Sequence, residues 1–159
     1  MTQPKPRVYI FDLDDTLYQK NDKGFVCNII NPDMLRNLIG IKILFSNGTF
    51  TYCNTYLMRM GLKDCFTAIF SYDILGHYKP HLSTYETIMS VCDFNPDLFD
   101  VIFFDNMHLN LIPAYECYKW KTILILPYSP IKKIQHQPLI NVSMSFNNIN
   151  DAVDFFIKN

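Results

Sequence analysis

Apolar residues fall into two rhythms along the chain. Val8–Phe11, Ile41–Phe45, Val101–Phe104 and Thr122–Leu126 are short continuous runs, with the length and residue types of strands buried on both faces. Ala68–Phe70 reads as a shorter strand of the same kind. Between these runs the spacing changes to that of helices. Asn31-Pro32-Asp33 reads as an N-cap with proline in the first turn, leading through Met34–Ile39 to a stop at Gly40. Thr49–Met60 closes at Gly61, and Pro80–Cys92 repeats Leu82, Tyr85, Ile88, Met89 and Cys92 near helical spacing. Leu111–Trp120 and an amphipathic Ile149–Ile157 complete the set. The polar stretch Gln19–Gly24, between Tyr18 and Phe25-Val26, predicts a β-hairpin. Strand and helix alternate throughout, which predicts an α/β fold: a central parallel sheet between two helical layers. Residues 1–159 show no repeat and no linker-like stretch, so one domain is expected.

Polar residues cluster where the strand-like runs end. Asp12, Asp14 and Thr16 follow the first, Ser46, Asn47 and Gly48 the second, and Asp105 and Asn106 the run at Val101–Phe104. Lys79 comes soon after the short run at Ile69. Parallel strands put their carboxyl ends on one edge, so these groups should converge. Asp12, Asp14 and Asp15 place three acids within four residues, and burying them unpaired costs several kcal/mol. A bound cation is the simplest relief. Taken singly, Ser46 and Asn47 are ordinary turn residues and Lys79 an ordinary surface lysine. His77 and His81 are four apart, but Pro80 intervenes, and zinc-ligand spacing on a helix is disfavoured. His108 reads as a loop histidine, and Tyr115, Tyr118 and Trp120 as packing residues.

Four segments, Asp12-Leu13-Asp14-Asp15-Thr16, Ser46-Asn47-Gly48, Lys79-Pro80 and Phe103-Phe104-Asp105-Asn106, together resemble the haloacid dehalogenase-like phosphohydrolase superfamily. Phe11–Tyr18 and Phe45-Ser46-Asn47-Gly48 look most like its pyrimidine 5′-nucleotidase-type branch. The resemblance implies a Rossmann-like core that hydrolyses phosphomonoesters with Mg²⁺ through an aspartyl phosphate. It implies Asp12 as nucleophile and Asp14 as the acid that protonates the leaving group and then activates water. Ser46, Asn47 and Lys79 would bind the phosphoryl group, and Asp12, Asp14, Asp105 and Asn106 would hold the metal. Asn106 departs from the pattern, since many relatives carry a second acid there; weaker metal binding is expected. The superfamily's cap domains are inserted between these motifs. Only 29 residues separate Thr16 from Ser46, and 32 separate Ser46 from Lys79, so a capless core with a hairpin flap is expected. An open site leaves selectivity to the hairpin, to the substrate itself, or to a second subunit in a homodimer.

Composition narrows the partners. The 159 residues are 49% hydrophobic and 18% charged, as in a globular protein. The net charge of −1, with Lys132-Lys133 as no more than a basic pair, disfavours nucleic-acid polymers. No run approaches the length of a membrane span, and the polar start Met1–Arg7 carries no secretory signal. Five scattered cysteines without metal-type spacing suit reduced thiols and a cytoplasmic setting. The substrate expected is a nucleotide or other small phosphomonoester. A phosphoprotein is the alternative that the missing cap favours, and a non-catalytic binding or regulatory protein is a third reading. Halide removal is disfavoured because it has no use for an acid at Asp14 or for magnesium.

Overall fold

The computed structural model describes residues 3–130 and 138–159; Lys132-Lys133 and the first two residues lie outside this range. Six strands form one parallel sheet: β1 (Arg7–Phe11), β4 (Ile41–Phe45), β5 (Ala68–Phe70), β6 (Asp100–Asp105), β7 (Lys121–Ile125) and β8 (Met144–Phe146). Their spatial order is β5-β4-β1-β6-β7-β8. The chain therefore builds outward from β1 in one direction, returns to β1's other side at β6, and builds outward again. The crevice beside β1, where the direction reverses, is where open sheets of this kind bind ligands.

Side-chain alternation explains the two helical layers. Tyr9, Phe11, Leu44, Ile102, Phe104, Ile123 and Ile125 point to one face of the sheet. There they meet α1 (Pro32–Asn37), α2 (Phe50–Arg59) and α6 (Ile149–Lys158). Val8, Ile10, Ile43, Phe45, Val101 and Phe103 point the other way, onto α4 (Leu82–Cys92) and α5 (His108–Tyr118). Both faces are covered, which is why these strands read as largely apolar runs, broken in β4 by Lys42. Phe11 and Phe104 lie flat on one another with ring centroids 4.6 Å apart, tying β1 to β6.

Local signals set the ends. The Asn31 side chain accepts from Asp33 N and Met34 N, and the Thr49 hydroxyl accepts from Tyr52 N. Gly40 has φ +147°, and a Cβ there would stand 2.7 Å from the Arg7 carbonyl oxygen, so only glycine lets α1 turn so tightly into β4. The hairpin is β2 (Tyr18–Lys20) and β3 (Val26–Ile29). Buried Gln19 pins it to the sheet: its Nε2 donates to the carbonyls of Leu126 and Asn147, at 2.6 and 3.0 Å.

Three details differ from the sequence reading. The helix expected at Leu111–Trp120 runs from His108 to Tyr118, because Lys119 turns left-handed (φ 56°) and leads the chain through Trp120 into β7. The helix expected from Pro80 begins at Leu82, capped by the His81 ring. β8 and the four-residue α3 (Tyr72–Leu75) are additional. Trp120 is buried as expected, whereas Tyr115 is exposed. No helix among the described residues is long and apolar enough to cross a membrane.

Replacing Phe104 by Ala removes a ring packed against Tyr9, Phe11 and Phe156. It should cost about 3–5 kcal/mol in urea unfolding. Ile39→Ala, at a side chain 90% exposed, should stay within about 0.5 kcal/mol of the parent. Equal losses at the two positions would contradict the packing described.

Candidate active site

Asp12 is the first residue past β1, and its N–H still continues the ladder to the Phe104 carbonyl at 2.9 Å. The chain then leaves the sheet in a tight turn in which Thr16 N and Leu17 N return to the Leu13 carbonyl. Asp15 takes the left-handed φ of 55° in this turn, and its carboxylate accepts from Lys20 N, at the end of β2. Ser46 is likewise the first residue past β4, bonded to the Phe70 carbonyl. Asp105 is the last residue of β6. Lys79 lies in the segment between α3 and α4, joined to Pro80 by a cis peptide bond.

These positions bring Asp12, Lys79 and Asp105 into direct contact. Lys79 Nζ donates to Asp12 Oδ1 at 2.9 Å, to Asp105 Oδ2 at 2.7 Å and to the Phe45 carbonyl at 2.8 Å. All three ammonium protons are thereby committed. The lysine side chain is 1% exposed and sits over the rings of Phe45 and Phe103, which suits a desolvated cation. A phosphoryl oxygen reaches Lys79 only by displacing one of these acceptors.

Each member has its own support. Thr16 Oγ1 donates to Asp12 Oδ2 at 3.0 Å. Asn110, on α5, donates to both oxygens of Asp105 at 3.2 and 3.1 Å, and Met107 N donates to Oδ1 at 2.8 Å. Asn47 spends its side chain on the Lys79 backbone: Oδ1 accepts from Lys79 N at 2.7 Å and Nδ2 donates to the Lys79 carbonyl at 3.3 Å. Its side chain therefore holds the lysine in place, and its main-chain N–H is the group left for an anion. Buried Ser46 accepts from Gly48 N at 3.0 Å, and its hydroxyl also meets the buried Cys53 thiol.

Asp14 shares no hydrogen bond with this triad. Its Oδ1 accepts from the hydroxyls of Tyr18 and Tyr52. Burial, then the contact with Asp14, raises both phenols above the ordinary tyrosine value. Asn106 faces a cleft of about 510 Å³ shared with Asp15, Lys20, Asp22 and Tyr128. His77 and His81 stack on one another at 4.2 Å, and His108 Nε2 meets the Ile140 carbonyl, so none of the three joins the site.

Asn110, Tyr18 and Tyr52 were not anticipated as parts of the site. An asparagine five residues past a strand-end acid was the available signal for the first. The tyrosines lie in hairpin and helix patterns that read as packing.

The donor set bears on a metal. Among the described residues no three His, Cys, Asp or Glu side chains gather closely enough to hold one alone. Asp105, expected as a ligand, accepts here from Lys79, Met107 N and Asn110, and a metal there would take the place of one of these donors. The residues expected to hold a metal, Asp12, Asp14, Asp105 and Asn106, offer only oxygen donors, the kind that a hydrated Mg²⁺ takes. Burial first, and Asp105 second, push Asp12 up to about 7 against the pull of Lys79 and Thr16, so this acid is short of positive charge.

No protein-family profile and no curated protein matches the sequence. Solved structures do match the fold. L-2-haloacid dehalogenase from Xanthobacter autotrophicus, solved with chloropropionic acid covalently bound, is similar with a TM-score of 0.61 at 16% identity, over 78% of this chain and 58% of its own. A dehalogenase solved as an intermediate complex gives 0.63 at 21% identity, over 80% and 55%. The chain thus spans a little over half the length of these dehalogenases. An uncharacterized protein from Listeria monocytogenes serotype 4b gives 0.65 at 14% identity, over 96% of this chain and 98% of that one. The chain has the haloacid dehalogenase-like fold.

A carboxyl that binds its proton more tightly folded (about 7) than unfolded (about 3.9) stabilises the fold fully below the unfolded value. That stabilisation is lost as pH rises through about 7. Burial opposes the ammonium of Lys79, but Asp105 and Asp12 outweigh it and raise its pKa, so its share is constant over this range. Without divalent metal, the urea midpoint should fall from pH 5 to pH 8 relative to that of Asp12→Asn. Parallel pH profiles for the two proteins would refute the assignment.

Proposed function

We propose that the protein is a Mg²⁺-dependent phosphomonoesterase that works through an aspartyl phosphate on Asp12. The observation that carries this reading is a second carboxylate, Asp14, held two residues from a buried acid that is itself paired to a lysine. Two acids kept in unlike surroundings suit two roles, nucleophile and proton carrier.

Asp12 presents its carboxylate from the end of β1, oriented by Thr16 Oγ1 and Lys79 Nζ. It attacks phosphorus in line as the ester oxygen departs, and Asp14 gives that oxygen its proton. Water then attacks the phosphoryl group, Asp14 takes the proton back, and Asp12 is released. The Ser46 hydroxyl and the Asn47 main-chain N–H are the donors suited to the phosphoryl oxygens. Mg²⁺, held by Asp12, Asn106 and the Asp14 carbonyl, would supply the positive charge that lets two anions meet.

The segments between the motifs carry no further layer over the sheet edge. The hairpin and α1 fill the first, and α2, a single 3₁₀ turn, β5 and α3 fill the second. That openness supports a second reading of the same chemistry, in which the phosphate is carried by a protein. Against a small substrate the selecting surface is the cleft of Asn106, Lys20 and Tyr128.

Hydrolysis of p-nitrophenyl phosphate should require Mg²⁺, stop with EDTA, and fall at least about 10³-fold in Asp12→Asn. Nucleotides, sugar phosphates and phosphopeptides assayed beside it will rank the two substrate classes. Chloride release from L-2-chloropropionate with no turnover of any phosphoester would replace this reading by dehalogenation.

A further inference from the structure

Two phenols from different elements converge on one carboxylate oxygen. Tyr18 opens β2, and Tyr52 lies in the first turn of α2, just after Ser46-Asn47-Gly48. Both hydroxyls donate to Asp14 Oδ1, that of Tyr52 at 2.5 Å, and they stand 3.3 Å from each other. Tyr56 backs the pair, stacked on Tyr18 with centroids 5.5 Å apart and tilted against Tyr52 at 4.6 Å. Gly48 makes the room: a Cβ there would lie 2.7 Å from the Tyr52 ring. Oδ2 of Asp14 makes no hydrogen bond among the described residues. A partly exposed carboxylate serving only to tie down a turn has water for a partner and no need of two converging donors.

We propose that Tyr18 and Tyr52 are positioning residues that occupy both lone pairs of Asp14 Oδ1 and so confine its proton exchange to Oδ2. A carboxylate oxygen has two acceptor sites, and here both are taken. A proton on Oδ1 would have to evict a donor, whereas one on Oδ2 meets no competitor. The inference rests on the phosphomonoesterase reading and adds to it the atom that carries the proton. In the first step the Oδ2–H bond breaks toward the leaving oxygen as its bond to phosphorus breaks and the Asp12–phosphorus bond forms. In the second, Oδ2 takes a proton from water as the water oxygen bonds to phosphorus and the Asp12–phosphorus bond breaks. Both carboxyl groups return to their starting forms. The clamp also gives Gly48 a role, since a larger residue would push Tyr52 off Asp14.

Rapid-mixing kinetics on p-nitrophenyl phosphate with Mg²⁺ test this in Tyr18→Phe, Tyr52→Phe and the double variant. Nitrophenolate leaves without needing a proton, but attack by water still needs the base. The double variant should therefore lose about 10–100-fold in steady-state kcat, keep kcat/KM within about 2-fold because the first step is untouched, and show a first-turnover burst larger than the parent's. Each single variant should lose less. Should the double variant unfold, Tyr52→Phe alone carries the test, since it leaves Tyr18 and the ring stack in place. Unchanged kcat, or a loss that appears as raised KM without a burst, overturns the clamp while the active parent leaves the phosphomonoesterase reading standing. A parent inert toward every phosphoester overturns both.

Discussion

A lysine ammonium removed from water between two carboxylates is the constraint around which the rest of this molecule is arranged. Breaking such a group by deleting one member strands a buried charge, at a cost of about 3–5 kcal/mol. The three members come from segments far apart in sequence: the ends of β1 and β6 and the segment between α3 and α4. Each is held by a neighbour that does not itself bear charge, Thr16 for Asp12, Asn110 for Asp105 and Asn47 for the Lys79 backbone. The register of β1 against β6, Phe11 opposite Phe104, is what brings Asp12 and Asp105 to the same height. A slip of one residue there would turn core side chains to the wrong face and part the acids from their lysine.

This dependence also explains what could be read in advance. Strands buried on both faces are apolar at nearly every position, Lys42 in β4 being an exception, so β1, β4 and β6 were visible as runs, and the polar residues ending them stood out. β8 was not visible because an edge strand of three residues, half-buried Met144 and Phe146 around exposed Ser145, leaves no run to see. α3 is too short to show a period. Among the site residues, charge at strand ends was legible and its supports were not. Asn110 looks like any polar residue in a helix until the tertiary fold places it against Asp105. Tyr52 lies in a helix with several aromatic residues, where packing is the natural expectation. Lys79 gains meaning only once both acids are placed beside it.

Openness at the sheet edge follows from the same short connections. Little chain is available between the motifs, so the flap must come from β2 and β3, and its rigidity from Gln19. A hairpin pinned at its base cannot enclose a substrate as an inserted domain can. Water exclusion then depends on the depth of the reacting atoms, and Asp12 and Lys79 are nearly buried. On the phosphomonoesterase reading, such an arrangement shields Asp12 while leaving the far side of a substrate unconstrained, which suits a phosphate projecting from a larger body.

Charge sets the final limit. Two carboxylates and one ammonium leave the centre one negative charge in excess, and on the phosphomonoesterase reading an anionic ester must approach it. Repulsion between unit charges at 4 Å is about 4 kcal/mol in a partly shielded site. Lys79 cannot meet the substrate while all three of its protons serve Phe45, Asp12 and Asp105. Asn106 adds an acceptor but no charge, so a cation there is held more weakly than it would be by a second acid. Asp12 itself must also give up a proton that its surroundings favour. On the phosphomonoesterase reading, binding of the cation and ionisation of Asp12 would therefore be one coupled event. On that reading the site becomes competent only as the cation arrives.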